Sequence, residues 1–144
     1  MQNKQPIAIL MATYNGEKFL AQQIDSLLNQ TYQSWTLYIR DDGSTDSSQT
    51  IIRNYCSRYP NIIFIEDSDG NLGCRNNFFR LLEVVESKYY MFCDEDDEWL
   101  PNKIEITMQR MQQVEAQYPN RPIAVHTDSA LCDASLNIIA RSYW

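Results

Sequence analysis

The chain has 144 residues, 44% hydrophobic and 22% charged, enough for one globular domain that buries about two-thirds of its unfolded surface in a single core. Its 19 acidic and 12 basic residues leave a formal charge of −7, which speaks against nucleic acid as a partner because phosphate binding needs a basic face. No apolar run approaches the roughly 20 residues of a membrane span, and residues 1–6 lack the apolar segment of a signal peptide, so the chain reads as cytoplasmic.

The hydrophobic period then alternates between strand and helix. Ile7 to Thr13 reads as a strand, and Phe19, Leu20, Ile24, Leu27 and Leu28 form a helical stripe after it. Trp35 to Arg40 is the second strand, followed by a stripe of Ile51, Ile52, Tyr55, Cys56 and Tyr59. Ile62 to Glu66 is the third, with Pro60 suited to its start, and Phe78, Phe79, Leu82 and Val85 mark the next helix. Tyr89 to Cys93 is the fourth, before a helix on Ile104, Met108, Met111 and Val114 whose first turn suits Pro101. A fifth strand is expected at Ile123 to Thr127, with Pro122 at its start, and a short hairpin between Ala130 and Ala140. This alternation predicts an α/β fold, a Rossmann-like and mostly parallel sheet with helices on both faces, in one domain over 1–144.

Cys56, Cys74, Cys93 and Cys132 are too scattered for a zinc site, with His126 the only histidine, and read as reduced core or near-core residues. The four glycines are more telling. Gly16, Gly43, Gly70 and Gly73 all fall just past expected strand ends, where ligands sit in open parallel sheets. Asp94-Glu95-Asp96-Asp97 follows the fourth strand at the same edge. Such crowded carboxylates repel unless a cation joins them, and hard cations such as Mg²⁺ and Mn²⁺ take oxygen ligands and complete their shell with phosphates. The competing reading is a solvated turn in which Asp96 or Asp97 caps the next helix. No Gly-x-Gly-x-x-Gly and no P-loop is present, so a nucleotide must be held in another way.

Four stretches carry a resemblance: Ile9 to Asn15, Asp41-Asp42-Gly43-Ser44-Thr45-Asp46, Gly73-x-x-x-Asn77, and Asp94 to Asp97 continuing to Trp99 and Pro101. In this order and spacing they resemble the nucleotide-binding half of family-2 inverting glycosyltransferases of the GT-A fold. The resemblance covers nearly the whole chain, and the stretches Trp99-Leu100-Pro101 and His126-Thr127-Asp128 to Trp144 look like bacterial enzymes of surface polysaccharide synthesis, including the rhamnosyltransferase-like branch. It implies transfer from a UDP- or dTDP-sugar to a saccharide or lipid-linked saccharide, with Mn²⁺ or Mg²⁺ offsetting the charge of the departing diphosphate. It further implies peripheral membrane association through the acceptor, at the inner face of the cell membrane, and admits a homodimer.

Residue by residue, the resemblance makes Asp94 and Asp96 the Asp-x-Asp pair, one facing ribose or sugar hydroxyls and one the metal, with Asp97 the adjacent acid and Glu95 the variable middle position; Asp94 and Glu95 count among the nucleotide-sugar-binding residues and Asp94, Asp96 and Asp97 among the metal contacts. Thr13, Tyr14 and Asn15 would border base and ribose, with Tyr14 stacked on the pyrimidine. Asp41 or Asp42 would accept from the ring N–H, and Gly73, Arg75 and Asn77 would belong to the nucleotide-sugar-binding set, with Arg75 offsetting diphosphate charge. Plainer roles compete: strand-end packing for Tyr14, an Asx-turn for Asp41 or Asp42 beside Gly43, a helix cap for Asp46, a solvated charge for Arg75 and a structural role for His126.

No acid after the knot matches the family's general base. Asp128 and Asp133 are the only acids nearby, with Asp128 the weak candidate, so the expectation is a truncated donor-binding portion. A catalytically inactive nucleotide-sugar-binding or assembly protein is the alternative. A phosphoacceptor receiver is disfavoured, because the first strand ends in Thr13-Tyr14-Asn15 and the fifth in His126-Thr127-Asp128.

Overall fold

The computed structural model describes residues 5–143. The chain divides into two compact units, Met1–Pro101 and Asn102–Trp144.

In the first unit, strand β1 (Ile7–Thr13) is buried along its whole length, as an almost wholly apolar run between two neighbours should be. It pairs in parallel with β2 (Trp35–Asp41) on one side. The third strand, β3 (Ile62–Phe64), extends the sheet beyond β2, and β4 (Tyr89–Asp94) pairs in parallel with the other side of β1, giving the order β3-β2-β1-β4. Helices α1 (Leu20–Leu28), α2 (Ser48–Arg58) and α3 (Cys74–Val84) fill the crossovers.

Period-two alternation divides the core. Ala8, Leu10 and Ala12 face Leu81 and Val85, with Tyr38, Phe78, Leu82 and Tyr90 packed around them. Ile7, Ile9, Met11, Leu37 and Ile39 alternate to the opposite face and are fully buried, as are Leu20, Ile24 and Leu27 of α1 and Ile52 of α2. Helix α2 packs on β2 and β3 and touches α1. Helices on both faces of a parallel sheet are the expected α/β arrangement.

Several boundaries differ from expectation. β2 and β4 each run one residue further than anticipated, and β3 stops at Phe64, although Ile65 N–H still donates to Ile39 O at 2.8 Å. The stripe of α3 is turned: Asn77 and Leu81 are its buried residues and Phe79 is 53% exposed. Cys74 and Cys132 are exposed rather than near-core, while Cys93 is buried.

In the second unit α4 (Lys103–Gln117) starts after Asn102, its N-cap, so Pro101 stands just ahead of the helix and neither Asp96 nor Asp97 caps it. The strand expected at Ile123 to Thr127 does not form. The hairpin does, as β5 (Leu131–Cys132) and β6 (Ile138–Ala140) in antiparallel pairing. Its turn is organised by Asp133, which accepts from the N–H groups of Ser135 and Asn137 and from the Asn137 amide; that amide first, then the backbone bonds, hold its carboxyl below the usual range. Among the described residues no helix is long and apolar enough to cross a membrane.

Candidate functional site

Parallel register sets the chemistry at one edge. Thr13 stands opposite Asp41, and Ala12 opposite Asp94, so the loops after β1, β2 and β4 leave the sheet side by side.

The first two loops are tied reciprocally. Asn15, in the left-handed region at φ 52° where asparagine is tolerated, donates its N–H to Ser44 Oγ at 2.8 Å and accepts from Thr45 N–H at 2.9 Å. Gly16 N–H donates to Ser48 Oγ at 2.9 Å, and Glu17 N–H to Asp46 Oδ2 at 3.0 Å. Asp46 also accepts the N–H of Ser48, first residue of α2, from one position ahead of the N-cap Ser47. Desolvation works against the Asp46 carboxylate, but the bonds from Ser48 and Glu17 prevail and lower its pKa. Gly16 has no room for a side chain: an added Cβ would lie 2.8 Å from Glu95 Cγ and 2.9 Å from Thr13 Oγ1. Thr13 itself is buried and its hydroxyl oxygen has no hydrogen-bond partner among the described residues, while Tyr14 is 50% exposed.

The two aspartates at the end of β2 have different partners. Asp41 forms the Asx-turn, its Oδ2 accepting from the N–H groups of Gly43 and Ser44 and from Gln49 Nε2, its Oδ1 from Ser44 Oγ. Asp42 is 2% exposed and turns inward. Its Oδ1 meets Arg40 Nη1 at 2.8 Å and accepts from Leu72 N–H at 2.8 Å, and its Oδ2 accepts from Gly73 N–H at 2.7 Å. Gly73 is the N-cap of α3 at φ 79°, a backbone that a side chain would strain, so Asp42 occupies the anion-favouring start of that helix. Asn77 is buried, accepting from Arg40 Nη1 and donating to Arg40 O. Arg75 is exposed in the first turn of α3 and makes no ion pair among the described residues.

After β4 the pattern reverses. Glu95 Oε1 accepts Tyr14 N–H at 3.2 Å, which ties the acidic stretch to the first loop; burial raises its carboxyl above the ordinary range despite that bond. Asp94 and Asp96 are exposed, and neither carboxylate has a hydrogen bond or ion pair among the described residues. Desolvation first, and then the charge of Asp96, push Asp94 up. The tail of this loop is fastened to the end of α1: Trp99 N–H donates to Ser26 Oγ, Gln30 Nε2 to Leu100 O, and Thr31 N–H to Pro101 O. Among the described residues no three-residue metal-ligating group forms, so Asp94, Asp96 and Asp97 do not converge as a set. Two unpartnered hard oxygen donors still suit Mg²⁺ or Mn²⁺, which take one or two carboxylates and leave positions for phosphate and water.

Asp128 belongs to the second unit, where it accepts from the N–H groups of Ser129 and Tyr143 and from Ser142 Oγ; His126 is exposed. The residue that sequence reasoning passed over is Arg40, taken as a strand end but 1% exposed at the junction of the second and third loops. Its signal was a lone basic residue closing the run Trp35 to Arg40, with an unusual density of acids directly beyond it.

The chain is 30% identical over 105 residues to an Escherichia coli UDP-Glc:alpha-D-GlcNAc-diphosphoundecaprenol beta-1,3-glucosyltransferase, WfgD, covering 73% of this chain and 40% of that protein. It is 38% identical over 98 residues to a Shigella flexneri dTDP-rhamnosyl transferase, RfbG, covering 65% and 34%. The chain thus spans less than half the length of either relative. Among solved structures, S. aureus TarS 1-349 in complex with UDP-GlcNAc matches with a TM-score of 0.63 at 20% identity, over 88% of this chain and 40% of that one. The Pyrobaculum calidifontis mannosyltransferase PcManGT, in complex with GDP-Man and Mn²⁺, matches with a TM-score of 0.61 at 18% identity, over 68% and 29%. The sheet, its loops and these likenesses meet in the family profile that matches residues 8–125: the chain belongs to glycosyl transferase family 2 and has the GT-A fold.

Proposed function

We propose that this chain forms the donor-binding part of a glycosyltransferase of bacterial polysaccharide synthesis, taking a sugar from a UDP- or dTDP-sugar by inverting displacement at the anomeric carbon. The observation that carries this reading is the pair of unpartnered carboxylates, Asp94 and Asp96, on a loop anchored at both ends beside the exposed ring of Tyr14. Asp94 and Asp96 would hold a divalent cation, which supplies charge neutralisation to the leaving diphosphate. Tyr14 offers a stacking face to the pyrimidine. Asp41 or Asp42 would border the ring N–H of the base, Asp41 with four donors already accepted and Asp42 with three. Arg75, exposed and without an ion pair among the described residues, would offer its guanidinium to the diphosphate.

The test is calorimetry of UDP and dTDP binding with Mn²⁺, with Mg²⁺ and with chelator. The expected result is binding that tightens with metal. Equal affinity in chelator removes the metal role, and no binding under any condition removes the donor-site reading.

A further inference from the structure

We infer that Arg40 is a positioning residue of the nucleotide site, setting the second and third loops into one preformed wall; this rests on the donor-binding reading above. Arg40 ends the apolar part of β2 on the face of the sheet that α3 covers, opposite the small Ala12 in register. All five of its N–H donors are used. The fork formed by Nε and Nη2 grips Asp67 at 3.0 and 2.9 Å, Nη2 also donates to Gly70 O at 3.0 Å, and Nη1 divides between Asp42 at 2.8 Å and Asn77 Oδ1 at 3.1 Å. A planar fork is the group that can satisfy two carboxylates, an amide and a carbonyl at once; lysine cannot.

Each partner holds a different part of the site. Asp42 carries the N–H groups of Leu72 and Gly73, and its own carbonyl accepts from Asn71 Nδ2 at 2.8 Å, so the second loop is fastened to the start of α3. Asp67 opens the third loop and is shared with Arg80 at 3.3 Å. Asn77 fixes the first turns of α3. The electrostatics agree with the geometry. A buried, uncompensated Asp42 would repel an incoming diphosphate, whereas paired with Arg40 it presents little net charge. Without Arg40, the Asp42 carboxylate keeps only its two backbone donors against the cost of burial, so its inward position and the acceptor of the Leu72 and Gly73 N–H groups are weakened.

If removal of Arg40 leaves the loops in their binding arrangement about a tenth of the time, apparent nucleotide affinity falls about tenfold. The experiment compares the wild-type chain with Arg40→Met, Arg40→Lys, Asp67→Asn and a core control, Leu10→Ala, well below each unfolding midpoint. UDP affinity in Mn²⁺ is read by calorimetry, and the Leu72 and Gly73 amides by NMR chemical shift and hydrogen exchange. Arg40→Met is expected to bind UDP about tenfold more weakly and to lose protection at both amides, with Arg40→Lys failing to rescue. Leu10→Ala should lower the melting temperature and leave affinity unchanged, which separates positioning from mere stability. Asp67→Asn keeps the Arg40–Asp42 pair and answers the same question with a smaller loss should Arg40→Met not fold. Wild-type UDP affinity in folded Arg40→Met or Asp67→Asn overturns the inference. A wild-type chain that binds no UDP refutes the donor-site reading instead, and the amide readout still decides the role of Arg40: unchanged Leu72 and Gly73 amides in Arg40→Met overturn it.

Discussion

The acids that close β2 and follow β3 and two of the acids beside them at the end of β4, Asp94 and Asp96, are alike in sequence and opposite in circumstance. Asp41, Asp42, Asp46 and Asp67 each accept several hydrogen bonds, and two of them are ion-paired with a buried arginine. Asp94 and Asp96 stand at the same edge of the sheet with no such partners among the described residues. Carboxylates whose lone pairs are consumed by the protein build the walls of the site, while carboxylates left to repel one another are the ones with free energy to gain from a cation. Partnership, rather than acidity, separates scaffold from binding group.

The sharpest way to break this contrast is Asp42→Ala. It leaves Arg40 short of a partner and strands the N–H groups of Leu72 and Gly73, so denaturant unfolding should show a loss of about 3–5 kcal/mol. A loss below about 1 kcal/mol would mean that the second loop is not a structural wall. Next comes Gly16→Ala, whose methyl meets Glu95 and Thr13 and should cost about 1–3 kcal/mol, together with weakened nucleotide binding because Glu95 is pressed away from Tyr14.

A pH titration sharpens the comparison on the structural side. The Arg40 fork outweighs desolvation and, with bonds from Asp69 and Arg80, holds the Asp67 carboxyl well below its ordinary range. An acid depressed in the folded state stabilises the fold above its unfolded pKa of about 4, and that contribution is lost as pH falls below it. Stability should therefore decline on acidification below about pH 4, less steeply in Asp67→Asn; identical slopes would remove Asp67 from the account. The smallest effect on the fold belongs to Asp96→Asn. Stability should change by no more than about 0.5 kcal/mol, as for a surface position without partners, while the metal-dependent gain in UDP affinity disappears. Unfolding of Asp96→Asn, or unchanged UDP binding in Mn²⁺, would erase the contrast.

Much of the first unit was legible from local signals. The limits of β1 follow from an apolar run broken by Tyr14-Asn15-Gly16, and the order of the helices follows from their stripes. What failed depended on distant partners. Ile123 to Thr127 has strand composition, but a parallel strand needs a neighbour and none pairs with it among the described residues. The stripe of α3 was misphased because Asn77, a polar residue outside the apolar stripe, is drawn inward by Arg40 from 37 positions away. In the site, the choice between Asp41 and Asp42 stayed open because both suit an Asx-turn; only the contacts to Leu72 and Gly73 distinguish them. Arg40 was overlooked since a lone arginine at a strand end reads locally as a solvated boundary.

The pairing of Ile7 with Tyr89 has a consequence for the life of the chain before it is folded. Strand β1 is made first, yet one of its two neighbours is made last in the sheet. At a synthesis rate of about 5–20 residues per second, β1 emerges from the ribosome on the order of ten seconds before β4 exists to cover its second edge. During that interval a seven-residue apolar strand has at most β2 for company, with an unsatisfied row of amides facing solvent. Nascent copies on one messenger would therefore be at their most adhesive midway through translation, and the yield of folded protein should respond to elongation rate between β2 and β4 more than to any change made after the sheet has closed.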